Sequence, residues 1–243
     1  MPTAPLPMRF LLLLSMLLSF GCGQHTSDPA PSNSTTMPTP PAPMSAAVSF
    51  LSLGDSYTIG QSVSEADRWS VQLAQLGQAE GLAKPDIIAR TGWTTAELQA
   101  AIKAANVQQT YGLVSLLIGV NNQFRGQPLT TYRTEFRELL QTAIRFAGNR
   151  PGRVLVLSIP DWGQTPYARG YDQARIGTEI DQFNAVAQQE CQEAKVAYVN
   201  ITDLTRAAAN DPTQFAPDGL HYSGKQMQQW ADRALPVVRT LLR

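Results

Sequence analysis

One serine of the sequence stands where a strand meets a sharp turn. Apolar residues run from Val48 to Leu53 over the length of a strand, and the run ends in Gly54-Asp55-Ser56. A glycine at a strand end lets the backbone turn sharply, which would leave the Ser56 hydroxyl at the carboxyl edge of the strand, where α/β sheets bind ligands. Because a serine is a weak nucleophile until a base takes its proton, a nucleophilic Ser56 requires a base and an oxyanion site elsewhere in the chain.

A base is available in the stretch P-D-G-L-H at 217–221. The chain has two histidines, and His25 lies in a proline-rich segment, which leaves His221 as the imidazole of the folded part. Histidine is the side chain best suited to proton transfer near neutral pH. Asp218 lies three residues earlier. In a tight turn its carboxylate would accept a hydrogen bond from the ring Nδ1–H, which is the role of the aspartate in a Ser-His-Asp triad.

Two further loops contain groups that could stabilise an oxyanion. The loop G-V-N-N at 119–122 offers the side-chain amide of Asn121, and the loop R-T-G-W at 90–93 offers the backbone N–H of Gly92. The backbone N–H of Ser56 would be the third donor. Such a donor typically stabilises a transition state by about 2.7–4 kcal/mol.

These loops must be brought together by the elements between them. Apolar runs predict strands at Val48–Leu53, Asp86–Ala89, Gly112–Ile118, Val154–Ile159 and Val196–Val199. Helical periodicity fills the intervals, and capping boxes are predicted at Thr94–Glu97 and Ser223–Gln226. Five strands alternating with helices predict an α/β protein with a three-layer α/β/α sandwich and a mostly parallel five-stranded sheet.

Taken together, the blocks G-D-S-Y-T-I-G, G-V-N-N and D-G-L-H, with a glycine after the second strand, resemble the GDSL or SGNH hydrolase family of esterases and lipases. The blocks follow the family's order and extend from Gly54 to His221. The resemblance implies a flavodoxin-like fold and a serine esterase in which Ser56, His221 and Asp218 are catalytic. It also implies that Ser56, Gly92 and Asn121 form the oxyanion hole, and that no cofactor or metal is needed.

The third block departs from the family pattern, because Asn122 stands where the family usually has Asp. We expect this residue to brace the loop, and we expect Asp55 to brace the turn at Ser56. The sequence leaves open whether Asp161, Trp162 and Phe124 line the pocket, and whether Gln123 and Arg125 contact substrate.

Each site residue also has a structural alternative. Ser56 could be a helix N-cap, His221 a surface residue before a helix, and Asp218 only a turn former in Pro-Asp-Gly. Asn121 could satisfy local backbone. Cys191 lies in a helical pattern without a nearby histidine, which indicates a packed residue and not a catalytic thiol.

The N-terminal region has the pattern of an export signal and a linker. A positively charged residue precedes an apolar run, so residues 1–21 are predicted to be a signal peptide. The run ends in L-S-F-G-C, which resembles a bacterial lipobox with Cys22 as the lipidated residue; the alternative is an ordinary signal with an incidental cysteine. Residues 22–46 are rich in Pro, Ser and Thr, which predicts a disordered tether, and the hydrolase domain is predicted at 47–243. These features predict an exported, membrane-anchored lipoprotein on the periplasmic or outer-surface side, or otherwise a secreted protein.

The composition excludes several other functions. The 243 residues carry a formal net charge of zero, so nothing indicates binding to nucleic acid. The sequence has no metal-ligand cluster, P-loop or dinucleotide fingerprint. The family resemblance and the predicted tether lead us to expect hydrolysis of a small-molecule or glycan ester, with short acyl groups favoured. The alternatives are a lysophospholipase or thioesterase acting on lipids, and a glycan-binding module that has lost activity.

Overall fold

The computed structural model describes residues 47–243, and five parallel strands form one sheet at its centre. The strands are β1 (Phe50–Gly54), β2 (Asp86–Ala89), β3 (Leu113–Leu117), β4 (Val154–Leu157) and β5 (Ala197–Val199). Their order is β2-β1-β3-β4-β5, and every neighbouring pair is parallel. The predicted strands are confirmed, with ends that shift by at most two residues.

Eight α-helices of this described part surround the sheet. They are α1 (Ser56–Ile59), α2 (Trp69–Leu76), α3 (Thr95–Ala105), α4 (Val120–Phe124), α5 (Leu129–Phe146), α6 (Gln173–Ala194), α7 (Thr202–Ala207) and α8 (Gly224–Leu242). Helix α2 packs on α8, whereas α5 packs on both α3 and α6. These two groups of helices are the outer layers of the predicted α/β/α sandwich.

Strands β1 and β3 are buried at every position, because helices cover both faces of the sheet. The chain leaves β1 toward β2 on one side, whereas β3 pairs with β1 on the other side. In an open α/β sheet such a reversal of strand order opens a crevice at the carboxyl ends of the strands. The loops that follow β1 and β3 therefore meet at a natural binding position.

Gly54 allows the first of these loops to turn close to the sheet. A Cβ atom at this position would lie 2.2 Å from the Thr58 hydroxyl oxygen and 2.5 Å from the Leu117 carbonyl oxygen. Both distances are far below van der Waals contact. Helix α1 can consequently start directly against β3 only because residue 54 has no side chain.

The two capping predictions have different outcomes. The Thr94 box is complete, since Thr94 and Glu97 bind each other's backbone N–H. At α8, the Ser223 hydroxyl accepts the Gln226 N–H at 3.4 Å, but the Gln226 amide is buried without a partner in residues 47–243. The prediction of a reciprocal box there is wrong, because burial turns the Gln226 side chain away from the helix start.

The features predicted for the N-terminal region lie outside the described residues. These are the signal peptide at 1–21, the lipidation site Cys22 and the tether at 22–46. Within residues 47–243, no helix combines the length and the apolar character that crossing a bilayer requires.

Candidate active site

Ser56 is the first residue of α1, immediately after the buried end of β1. The N-cap is Asp55, whose carboxylate accepts a hydrogen bond from the Tyr57 N–H at 3.0 Å. The interpretation of Ser56 as an N-cap is therefore wrong, and the expectation that Asp55 braces this turn is confirmed. The Ser56 side chain therefore does not cap the helix, and it lines a cavity at the carboxyl edge of the sheet.

Asp55 is fully buried, and one of its carboxylate oxygens has no hydrogen-bond partner among residues 47–243. Desolvation raises the pKa of Asp55 to about 7, although the hydrogen bond from Tyr57 acts in the opposite direction. The residue next to the candidate nucleophile thus carries a carboxyl group that changes charge near neutral pH.

The Asp218 carboxylate holds His221 through both its ring and its backbone. Oδ2 lies 2.7 Å from His221 Nδ1, and Oδ1 accepts the backbone N–H of His221 at 2.9 Å. Oδ1 also accepts the Leu220 N–H, and Oδ2 accepts the Ser62 hydroxyl at 2.6 Å. Asp218 is therefore both the turn former and the partner of the imidazole, so the two interpretations of this residue hold together.

These hydrogen bonds keep Asp218 ionised. Partial burial alone would raise the pKa of this carboxyl group, but hydrogen bonds from the His221 N–H, the Ser62 hydroxyl, the His221 ring and the Leu220 N–H lower it to about 2. An ionised carboxylate at Nδ1 leaves Nε2 as the ring nitrogen that can take a proton.

The His221 ring is held firmly in place. It makes an edge-on contact with Tyr57, with ring centroids 5.6 Å apart, and the His221 carbonyl accepts the Ala216 N–H at 2.8 Å. Only 7% of the residue is exposed, which excludes the alternative that it is a surface residue. No hydrogen bond joins His221 to the Ser56 hydroxyl within residues 47–243, but both residues line the same cavity. Such contacts are often long before substrate binds.

Four of the predicted site residues line this catalytic cavity, which has a volume of about 110 Å³: Ser56, Gly92, Asn121 and His221. Asp218 lies behind His221. The remaining lining is largely apolar and includes Tyr57, Val120 and Leu220. Residues from five separate segments of the chain thus line a space of the size of a small group.

The two candidate oxyanion loops are tied to each other. The Asn121 Nδ2 donates one hydrogen bond to the Trp93 carbonyl at 2.9 Å, and a primary amide has a second N–H that remains for a ligand. Gly92 has a φ of 86°, a region that favours glycine, and its carbonyl accepts the Arg125 guanidinium at 2.6 Å. Arg125 also pairs with Glu97, so it has a structural position and does not line the catalytic cavity.

Asn122 braces the loop, as expected. It is fully buried, its Oδ1 accepts the Thr95 N–H at 3.2 Å, and its Nδ2 donates to the Thr95 hydroxyl at 2.6 Å and to Gln127 at 2.8 Å. The Thr95 hydroxyl in turn donates to Glu135. The amide therefore connects the loop after β3 to the start of α3 with donors that a carboxylate would not have.

The sequence did not decide which residues near the site line the cavity, and the structure separates those that do from those that do not. Phe124 and Trp162 line the catalytic cavity, whereas Asp161 does not. Asp161 is buried and forms an ion pair with Arg206 at 2.8 Å, because its carboxylate points away from the cavity toward α7. Gln123 accepts the Trp162 indole N–H at 2.8 Å and so positions that ring.

Sequence reasoning missed Ser62, which holds the Asp218 carboxylate from 156 positions away in the chain. Ser62 has a φ of 65°, and no signal in its neighbouring residues indicates this contact. Cys191, by contrast, is buried as expected, and burial raises the pKa of its thiol to about 12.

Comparisons with known proteins identify the family and the fold of the chain. Residues 52–229 match the model of the GDSL-like Lipase/Acylhydrolase family. Among solved structures, the fold is similar to TesA, with 18% identity and a TM-score of 0.62 over 79% of this chain and 99% of the other. No curated protein is similar enough in sequence to be matched.

Two other solved structures share the fold at the same level. The esterase EstA from Pseudoalteromonas sp. is 17% identical with a TM-score of 0.61, over 80% of this chain and 98% of the other. Axe2, an acetylxylan esterase from Geobacillus stearothermophilus, is 19% identical with a TM-score of 0.62, over 79% and 94%. The family match covers most of the chain and contains all the candidate site residues described above, and the chain therefore belongs to the GDSL-like lipase/acylhydrolase family and is a carboxylic ester hydrolase.

Proposed function

We propose that this chain is a serine esterase that hydrolyses short-acyl carboxylic esters through an acyl-enzyme. The observation that supports this most directly is that Ser56 and His221 line one small cavity while Asp218 contacts Nδ1 of His221 from behind. A nucleophile, a base and an orienting carboxylate are the groups that acyl transfer requires.

In the proposed reaction, the Ser56 Oγ attacks the ester carbonyl carbon while His221 Nε2 takes the hydroxyl proton. The negative charge on the carbonyl oxygen is stabilised by the N–H groups of Ser56 and Gly92 and by the Asn121 amide. Collapse of this intermediate breaks the carbon–oxygen bond, and His221 gives its proton to the leaving alcohol. Water then attacks the acyl-enzyme by the same route and releases the acid and free Ser56.

The cavity size favours a short acyl group. A volume of about 110 Å³ is below the roughly 300–1,000 Å³ of a typical pocket for a drug-sized ligand. An acetylated glycan or another short-acyl ester suits such a space, and Axe2, one of the structures with this fold, is described as an acetylxylan esterase. A lysophospholipase or thioesterase acting on lipids would need an apolar groove for a long chain.

The experiment compares the wild type with Ser56→Ala on p-nitrophenyl acetate. The variant should lose hydrolysis while its circular dichroism spectrum and melting temperature stay the same. Unchanged turnover would reject Ser56 as the nucleophile. A fluorophosphonate probe distinguishes an esterase from an inactive glycan-binding module, because a module that only binds glycans would not be labelled at Ser56.

We also propose that the protein is exported and anchored to a membrane through lipid on Cys22. The support is the apolar segment before Cys22 and the Pro/Ser/Thr-rich stretch after it. Several acyl chains are needed for stable anchoring. Metabolic labelling with an alkyne fatty acid should mark the wild type and not Cys22→Ser, and an unlabelled wild type would exclude the anchor.

A further inference from the structure

The exposed aromatic side chains of the described residues are concentrated at one place. Phe124, Tyr167 and Tyr171 are the large hydrophobic residues with high exposure, at 48%, 42% and 50%. All three surround Trp162, with ring centroids 5.3 Å, 6.3 Å and 5.4 Å from it. We call Phe124, Tyr167 and Tyr171 the aromatic rim. Contiguous exposed apolar surface of this kind marks a binding site more often than isolated residues do.

Hydrogen bonds of Trp162 and of the Tyr167 backbone position the rim relative to the candidate catalytic residues. Trp162, at its centre, is 4% exposed and donates its indole N–H to Gln123 at 2.8 Å. The backbone N–H of Tyr167 donates to the Gly219 carbonyl at 2.8 Å, within the turn that carries Asp218 and His221. The rim and the candidate base therefore belong to one hydrogen-bonded unit.

A second cavity lies beside the catalytic one and shares Phe124 and Trp162 with it. Its volume of about 280 Å³ is more than twice that of the catalytic cavity. Its lining adds Tyr171 and the charged side chains of Asp172, Arg175 and Glu179. An ester whose acyl group enters the small cavity must place its alcohol portion outside, and this larger polar cavity is the adjoining space.

The chemistry of the second cavity favours a neutral, hydroxyl-rich occupant. Two carboxylates face one guanidinium there, so a phosphate-bearing alcohol would meet net negative charge. A long acyl chain would remove water from these charged groups without replacing its hydrogen bonds, which is costly. A sugar ring can offer its hydroxyl groups to the carboxylates and its C–H faces to the negative faces of the aromatic rings.

We propose that the aromatic rim and the adjoining cavity bind the sugar ring of an O-acylated neutral saccharide while its acyl group occupies the catalytic cavity. This inference rests on the proposed esterase function and specifies its substrate class. Phe124 lines both cavities, Tyr171 lines only the second one, and the Tyr167 ring stacks on that of Tyr171 with centroids 5.8 Å apart.

The test compares three esters with defined acyl and alcohol parts: acetylated xylotetraose, ethyl acetate and ethyl octanoate. The double variant Tyr167→Ala/Tyr171→Ala should lower kcat/KM for acetylated xylotetraose by at least about ten times more than it lowers kcat/KM for ethyl acetate. The loss should come mainly from a higher KM. Tyr167→Phe/Tyr171→Phe keeps both rings and should recover most of the loss. Phe146→Ala removes an aromatic ring that packs on Tyr111, just before β3, and lines neither cavity, so it should not discriminate between the esters.

Other outcomes would overturn the proposal. Equal losses on acetylated xylotetraose and ethyl acetate would indicate a structural role for the two tyrosines, and equal rates in the wild type and the alanine pair would show that the rim binds nothing. A loss confined to ethyl octanoate would assign the rim to an acyl chain.

A calorimetric titration of the wild-type protein with unacetylated xylotetraose separates failure of the rim from failure of the esterase. If Ser56→Ala keeps full activity, or if the wild type hydrolyses no ester, the proposed function fails, and the titration still tests the rim. Saturable binding that the alanine pair weakens about tenfold would support the rim, and absence of binding by the wild type would reject it.

Discussion

The Asp218 carboxylate accepts hydrogen bonds from both the Nδ1 and the backbone N–H of His221, at 2.7 Å and 2.9 Å. One side chain therefore fixes the turn that delivers the imidazole and the orientation of the imidazole itself. With Nδ1–H directed at the carboxylate, Nε2 remains the nitrogen that can accept a proton.

Replacing the members of this pair should reduce activity in a defined order. We expect His221→Ala to lower kcat by about 10⁵ or more and Asp218→Asn by about 10² to 10⁴, because the aspartate orients and stabilises the imidazolium without itself transferring a proton. Ser62→Ala removes one of several hydrogen bonds to Asp218 and should cost about tenfold or less. Steady-state hydrolysis of p-nitrophenyl acetate measures all three. Full activity of Asp218→Asn would exclude the partner role.

Removing the Asn121 amide should affect the transition state more than substrate binding. Asn121 Nδ2 has two N–H bonds: one donates to the Trp93 carbonyl, and the other is the proposed oxyanion donor. We expect Asn121→Ala to lower kcat by about 10² to 10³ with a small change in KM. A loss expressed mainly in KM would contradict the role of this amide as an oxyanion donor.

Asn122→Asp would restore the residue usual in the family, yet we expect it to destabilise this chain. The Asn122 Nδ2 donates to Thr95 and to Gln127, and the Thr95 hydroxyl is already committed as a donor to Glu135. An aspartate carboxylate has no N–H to donate, so its oxygens would face the Thr95 and Gln127 oxygens at a fully buried position. We expect this to lower the free energy of unfolding by roughly 1–3 kcal/mol. Urea unfolding at pH 7 measures the difference, and an equally stable variant would show that the network rearranges.

Asp55→Asn should change how stability depends on pH. The pKa of Asp55 is raised from 3.8 to about 7, so the folded state keeps this proton while the unfolded state loses it. Its contribution to stability is present below pH 3.8 and is lost as pH rises through about 7, with a total on the order of 4 kcal/mol. An asparagine can still cap α1 and carries no such penalty.

The stability of Asp55→Asn should therefore gain on the wild type as pH rises from 4 to 7, as measured by urea unfolding at each pH. Asp211→Asn provides the control. Hydrogen bonds from Thr213, Gln214 and Lys225 lower the pKa of that exposed carboxylate, so its contribution to stability should stay constant above pH 4 and be lost only as the pH falls below 4. If the free energy of unfolding of the wild type and of Asp55→Asn changed in parallel with pH, the result would contradict the raised pKa of Asp55.

Gly54→Ala should destabilise the protein, because its Cβ would lie 2.5 Å from the Leu117 carbonyl oxygen, which cannot move without shifting β3. We expect a loss of about 1–3 kcal/mol in the free energy of unfolding. Gly152→Ala is the matched control, because a Cβ there meets nothing within 4 Å and should leave stability within about 0.5 kcal/mol of the wild type. Equal melting temperatures for the two variants would show that α1 adjusts to the extra atom.

The sequence by itself determined the strands and their common edge. Apolar runs such as Leu113–Leu117 and Val154–Leu157 lie in the sheet as predicted, because strands buried on both faces need continuous apolar residues. Parallel strands place their carboxyl ends at one edge, so residues after β1 and β3 had to come near each other. The motifs at Ser56, Asn121 and His221 could be found for the same reason, since each belongs to a short local pattern.

The tertiary structure decided which neighbouring side chains face the cavity. Asp161 and Trp162 are adjacent in sequence, yet Asp161 pairs with Arg206 while Trp162 lines the cavity. Ser62 reaches Asp218, and Tyr167 reaches Gly219, through contacts between segments far apart in the chain. Periodicity shows which residues are buried, but the direction of a loop side chain depends on the packing of distant elements against it, and no local pattern records that packing.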